Sequence, residues 1–134
     1  MPALRQDLRL LLVEDNSISQ QVALRMLKKL CLKADLAKDG FEGVDAALSK
    51  PYDVIFMDLS MPGMPGLEAT KKILCHFSHT PPPYIIAMTA NALSSDRELC
   101  LSSGMDDFIS KPFTINDIRE ALERYQASSV SPTS

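Results

Sequence analysis

The chain has 134 residues, 46% hydrophobic and 23% charged, enough for one globular domain with a substantial core. A net charge of −3 excludes broad electrostatic attraction to nucleic acid or to an anionic membrane. Charged or turn residues interrupt every apolar run within a few positions, and the opening MPALRQDLR lacks the apolar stretch of a secretory signal, so no membrane span and a cytoplasmic location are expected.

The predicted elements alternate from end to end. Leu8 to Val13 reads as a short apolar strand, and Asn16-Ser17 offers caps for a first helix. Ile18, Val22, Met26 and Leu30 recur at a spacing of four and are expected to share one face of it. Ala34 to Ala37 is a weak second strand. Asp39-Gly40 turns the chain into a helix carrying Phe41, Val44 and Leu48 on one face, and Pro51 ends it. Val54 to Met57 is almost wholly apolar, as in a strand buried on both sides. A loop through Pro62 and Gly63 leads to a third helix with Leu67, Thr70, Ile73 and Phe77 aligned. After Pro81-Pro82-Pro83 come a fourth strand, Tyr84 to Met88, and a helix from Leu93 to Ser103 stopped at Gly104. Phe108-Ile109 is a short fifth strand. Thr114 caps a last helix lined by Ile115, Ile118, Leu122 and Tyr125. The expected limits are an N-terminal tail over 1–7, one domain over 8–126 and a disordered tail over 127–134.

Five strand–helix units imply a parallel sheet covered on both faces, a three-layer α/β sandwich. Right-handed crossovers leave few topologies, of which the flavodoxin-like order 2-1-3-4-5 binds ligands beyond the carboxyl ends of its strands. Placed on that frame, Glu14 and Asp15 follow strand 1, Asp58 ends strand 3, Thr89 ends strand 4 and Lys111 follows strand 5. Three crowded carboxylates repel one another, and burial penalises each charge further. Lys111 answers one charge, and a hard divalent cation with oxygen ligands, Mg²⁺, answers the rest. An aspartate beside such a site can act as a nucleophile towards phosphorus. Each residue alone has a plainer reading: a polar turn at Glu14-Asp15-Asn16, a loop cap at Asp58, a helix cap at Thr89, a surface ammonium at Lys111. Their joint placement favours the site.

The segments LeuLeuLeuValGluAspAsn (10–16), AspValIlePheMetAspLeuSerMetProGlyMetProGly (53–66), IleAlaMetThrAlaAsnAla (86–92) and GlyMetAspAspPheIleSerLysPro (104–112) occur in the order found in receiver domains of two-component signalling. The chain resembles that family, and its wording is most similar to receivers of hybrid histidine kinases. The resemblance implies that Asp58 is the phosphoacceptor. It implies that Asp15, Asp58 and the backbone carbonyl of Ser60 bind Mg²⁺ directly, with Glu14 reaching it through water. It further implies that Lys111 pairs with a phosphoryl oxygen, Thr89 hydrogen-bonds the phosphoryl group, Phe108 is a rotating aromatic switch and Lys111-Pro112 is cis. The implied donor is a phosphohistidine on a histidine kinase or a phosphotransfer protein, or on the rest of a hybrid kinase. The implied output is a changed surface on helix 4, strand 5 and helix 5.

Pro65 departs from the acid common there and should stiffen the loop, and Phe108 replaces a frequent tyrosine. Asn91 is polar and near the site, where it is expected to influence hydrolysis. Rival readings are weaker. A dehalogenase-type phosphatase needs a second acid where Ser60 stands. A nucleotide-binding flavodoxin-like protein needs a phosphate loop where Glu14-Asp15 stand. A pseudo-receiver acting as an interaction module without phosphorylation would lack part of the acid set. His76 and His79 have a possible metal spacing, but cationic character at a helix C-terminus is the plainer account. Cys31, Cys75 and Cys100 form no paired motif and are expected to be reduced residues on helices.

Overall fold

A computed structural model describes residues 7–59, 61, 63–77, 81–89 and 94–129. In chain order its elements are β1 (Leu10–Val13), α1 (Ser17–Lys29), β2 (Ala34–Ala37), α2 (Gly40–Ser49), β3 (Val54–Asp58), α3 (Gly66–His76), β4 (Tyr84–Thr89), α4 (Ser94–Ser102), β5 (Asp107–Ser110) and α5 (Ile115–Ser129). The five strands form one parallel sheet in the order β2-β1-β3-β4-β5. β1 and β3 are buried along their whole length, which explains their continuous apolar runs. Leu10, Leu12, Phe56, Ile86 and Met88 point to one face and pack with α1 and α5. Leu11, Val13, Ile55, Met57, Ile85 and Ala87 point to the other and pack with α2, α3 and α4. Apart from Ala87, each such side chain, fully withdrawn from water, contributes on the order of 2 kcal/mol.

Local chemistry sets the helix ends. The Asn16 side chain accepts from Ser19 N–H at 3.0 Å, and Asp39 accepts from Glu42 N–H at 2.8 Å. Thr114 and Asp117 form a reciprocal capping box, with Thr114 N–H donating to Asp117 at 2.8 Å and Asp117 N–H donating to Thr114 Oγ1 at 3.2 Å. Pro65 is the N-cap of α3 and offers no side-chain acceptor there. α5 continues to Ser129, three residues into the segment read from sequence as a tail.

The face read from spacing is split between core and solvent in α1 and turns to solvent in α2. In α1 the buried residues are Ala23 and Leu27, while Ile18 is 73% exposed and Val22 41% exposed. Residues four apart drift by roughly 40° per step around a helix, so four of them cannot stay on one narrow face. In α2 the inner residues are Gly40, Gly43 and Ala47, while Phe41 and Leu48 are exposed and Val44 is half-buried. The helix lies too close to the sheet for larger side chains: a Cβ on Gly43 would stand 2.9 Å from both Val13 methyl carbons.

Cys75 and Cys100 lie on α3 and α4, but Cys31 lies just beyond α1 with φ +64. A left-handed conformation disfavours any residue with a Cβ. Cys31→Gly is therefore expected to raise stability by about 0.5 to 1 kcal/mol, partly offset by a looser unfolded chain. Urea unfolding of the two proteins checks the sign.

Candidate functional site

The parallel register brings the acids together. Val13 is level with Met57, so Glu14 and Asp58 leave neighbouring strands side by side. Asp58 is level with Met88, and Thr89 with Ser110, so the ends of β4 and β5 complete the same edge of the sheet. The Lys111 N–H donates to the Thr89 carbonyl at 2.7 Å and holds the last strand end in place. Gly66 packs closely against the carboxyl end of β3. A Cβ on it would stand 2.2 Å from the Asp58 carbonyl oxygen.

Glu14 and Asp58 are 1% and 2% exposed, whereas Asp15 faces solvent. One carboxylate oxygen from each lies within 4.8 Å of the others. The Lys111 ammonium donates to Glu14 Oε1 at 2.8 Å and stands 3.3 Å from Asp58 Oδ1. Glu14 also accepts from Asn16 N–H at 3.1 Å, and its carbonyl accepts from the Gln20 amide at 2.7 Å. Burial pushes the Glu14 carboxyl up, but hydrogen bonds from Lys111 and the Asn16 N–H, together with the Lys111 charge, outweigh it and hold it below its ordinary value. Burial opposes the charge on Lys111, yet Glu14 and Asp58 together raise its affinity for the proton.

That depression of Glu14 is a statement about stability. A carboxyl whose folded pKa lies below its ordinary 4.5 contributes stability that is present above 4.5 and is lost as pH falls through the folded value. Glu14→Gln should therefore make metal-free stability fall less steeply with acid. Urea midpoints measured down a pH series for both forms check this, and parallel curves would contradict it.

Thr89 is buried, and Phe108 is half-buried on the same sheet face, diagonal to it across the β4–β5 pair. The Lys111-Pro112 bond is cis. Beside the acids, Ile18, Ser19, Val22, Lys111, Pro112 and Phe113 line a mostly apolar cavity of about 410 Å³. Sequence reasoning missed this groove, because spacing grouped Ile18 and Val22 with Met26 and Leu30 without showing which way each turns. His76 sits in the last turn of α3, against Phe77. Ser60, Asn91 and His79 lie outside the described residues.

The arrangement suits a hard cation. Its donors are oxygens alone, and three carboxylates against one ammonium leave two negative charges uncompensated. Two of the acids are desolvated, so their repulsion is weakly screened, while exposed Asp15 keeps the cluster in contact with water. Such a set fits Mg²⁺, which takes few carboxylates and retains waters.

The family model of the response regulator receiver domain matches residues 10–123. The chain is 39% identical over 122 residues to hybrid signal transduction histidine kinase G of Dictyostelium discoideum, covering 90% of this chain and 4% of that protein. It is 41% identical over 127 residues to histidine protein kinase 1 of Candida albicans, covering 87% of this chain and 5% of that protein. The chain thus spans a small fraction of the length of these curated relatives. Among solved structures, it resembles the receiver domain of a sensor histidine kinase from Pseudomonas aeruginosa, described with magnesium coordinated in its active-site cleft. The TM-score is 0.79, with 38% identity and coverage of 90% of this chain and 98% of that one. It also resembles the Saccharomyces cerevisiae co-crystal structure of the phosphotransfer protein Ypd1 with the receiver domain of Ssk1. There the TM-score is 0.84, with 29% identity and coverage of 94% and 93%. The chain belongs to the response regulator receiver domain family, whose members accept phosphoryl groups in two-component signalling. Among the described residues, no helix is long and apolar enough to cross a membrane.

Proposed function

We propose that Asp58 accepts a phosphoryl group from a phosphohistidine, carried by a histidine kinase or by a phosphotransfer protein of the kind seen with the Ssk1 receiver. The observation that carries this reading is the convergence of Glu14, Asp15, Asp58 and Lys111 at one end of the sheet. An Asp58 carboxylate oxygen attacks phosphorus. The N–P bond of the donor breaks, its electron pair returns to the imidazole nitrogen, and that nitrogen takes up a proton. Hydrolysis then transfers the phosphoryl group to water and restores the carboxylate.

Glu14, Asp15 and Asp58 would hold Mg²⁺, with the Ser60 carbonyl as a further expected ligand. When bound, the metal offsets charge on the phosphoryl oxygens. Lys111 already lies 3.3 Å from Asp58 and turns from that carboxylate to a phosphoryl oxygen. The acyl phosphate carries up to two negative charges where the carboxylate carried one, and its strong acceptor oxygens draw in the Thr89 hydroxyl. Movement of Thr89 frees space on its sheet face for Phe108, the half-buried ring diagonal to it, to turn inward. The face of α4, β5 and α5 then changes for a partner to read. The exposed Ile18 and Val22 beside Pro112 and Phe113 supply apolar surface for the donor next to the acceptor. The domain assists its own phosphorylation and dephosphorylation, acts on no separate substrate, and works in the cytoplasm as part of a phosphorelay or a hybrid kinase.

Incubation with Mg²⁺ and acetyl phosphate, followed by intact mass measurement, tests the assignment. The parent is expected to gain one phosphoryl group and Asp58→Asn none. Equal uptake by both would place the acceptor elsewhere, and uptake by neither would remove the phosphoryl-accepting role.

A further inference from the structure

A second cavity, of about 520 Å³, opens at the opposite end of the sheet. Asp53 precedes β3, Tyr84 begins β4 and Asp106 precedes β5, so its polar wall stands where the strands start, a full strand length from Asp58. Its composition is unusual for this chain. Of three tyrosines and five phenylalanines in the sequence, all three tyrosines (Tyr52, Tyr84 and Tyr125) and Phe77 line it. Tyr84 and Tyr125 meet edge to face, with centroids 5.1 Å apart. The aromatic interior is half-buried, while Pro51, Pro81 and Pro82 stand exposed at the rim. Nothing in phosphoryl transfer at Asp58 uses any of these groups.

The charges there are unequally satisfied. Arg9 is held by Asp53, which accepts from the Arg9 N–H at 2.8 Å and from its guanidinium at 3.1 Å. Just outside, Arg124 donates to Asp107 at 2.6 Å. Asp106 accepts from the Ile85 N–H through Oδ2 at 2.9 Å, but its Oδ1 has no partner among the described residues. Burial pushes both the Asp106 carboxyl and the Tyr84 hydroxyl up, and neighbouring carboxylates add to the rise against the Ile85 N–H at Asp106 and the Arg124 charge at Tyr84.

We propose that this cavity receives an arginine side chain from a peptide segment of a partner protein. Aromatic rings with an unanswered carboxylate suit a guanidinium, which can lie on a ring face and donate to Oδ1 at the same time. A free metabolite is usually enclosed by its pocket. Here the exposed prolines leave one side open, as a side chain projected from another surface requires. Arg9 does not oppose the ligand strongly, because Asp53 already neutralises it in a bidentate pair.

The test is an amide NMR titration of the full 134-residue chain with the capped peptide Gly-Arg-Gly, its citrulline counterpart and free agmatine. The arginine peptide should shift the amides of Tyr84, Asp106 and Tyr125, with citrulline weaker by about fivefold. Asp106→Asn keeps an oxygen for the Ile85 N–H, so it should preserve the spectrum yet weaken the arginine peptide by a similar factor. Tyr125→Leu, which removes one aromatic wall, should weaken it independently. Equal binding of arginine and citrulline, no loss in either variant, or shifts confined to other residues would overturn the proposal. Agmatine binding more tightly than the peptide would overturn the partner segment in favour of a free cation. Uptake of phosphate from acetyl phosphate should be the same in Asp106→Asn as in the parent, so a failure here is distinct from a failure at Asp58.

Discussion

Lys111→Met is expected to lower metal-free stability near neutral pH by about 2 kcal/mol. Removing one partner of a buried charge pair costs more than the pair contributes, because the remaining charges stay desolvated. Here Glu14 and Asp58, at 1% and 2% exposure, would face each other with no ammonium between them. The Lys111 side chain is 23% exposed, so the cost falls below that of a fully enclosed pair. The sign of the pH dependence follows from the same charges. Without Lys111 the carboxyls bind protons more readily in the folded state, so the deficit should shrink as pH falls. Added Mg²⁺ should recover most of the loss, since a dication answers the same carboxylates. Urea unfolding at neutral and acid pH, with and without Mg²⁺, measures all three. A variant as stable as the parent in metal-free neutral buffer would show that the acids are already neutralised by protons rather than by Lys111.

Gly66→Ala is expected to cost about 3 kcal/mol and to slow phosphoryl uptake as well. The added Cβ would stand 2.2 Å from the Asp58 carbonyl oxygen and 3.0 Å from Asp58 C and Leu59 Cα. All three are backbone atoms, so no side chain can swing away to relieve the overlap. Either α3 retreats from the sheet or the end of β3 moves, and the second course displaces Asp58, the proposed acceptor. Thermal unfolding together with the acetyl phosphate assay separates these. A stability loss with normal uptake would mean that the helix yields and the strand does not.

Much of this architecture was readable in the sequence because parallel strands buried on both faces carry an uninterrupted apolar signal. β2 was read at Ala34–Ala37, as found, and β3 and β4 each run one residue further, to Asp58 and Thr89. Those added residues are the proposed site residues: a polar side chain looks like the end of a strand even when the ladder includes it. β1 begins at Leu10 rather than Leu8, although Leu8 is buried beside it. The site was legible because strand order and alternation suffice to bring Glu14, Asp58 and Lys111 together. The helix faces were less legible. Spacing alone could not show that α1 turns Ile18 outward beside the site, nor that α2 presses glycine and alanine against the sheet. The tyrosine-lined cavity was invisible for a similar reason. Its members, Tyr52, Tyr84 and Tyr125, are far apart in sequence and belong to three different elements or connections, each with a local role of its own.

The Glu14–Lys111 pair joins residues 97 positions apart. Closing so long a span costs entropy that local contacts cannot offset, so this pair forms only when the sheet is complete through its last strand. During translation the acids emerge early and their counter-charge late. With Asp58 as the proposed acceptor, a nascent or truncated chain carries it without its counter-charge, and competence for phosphoryl transfer arrives as a single late event of folding.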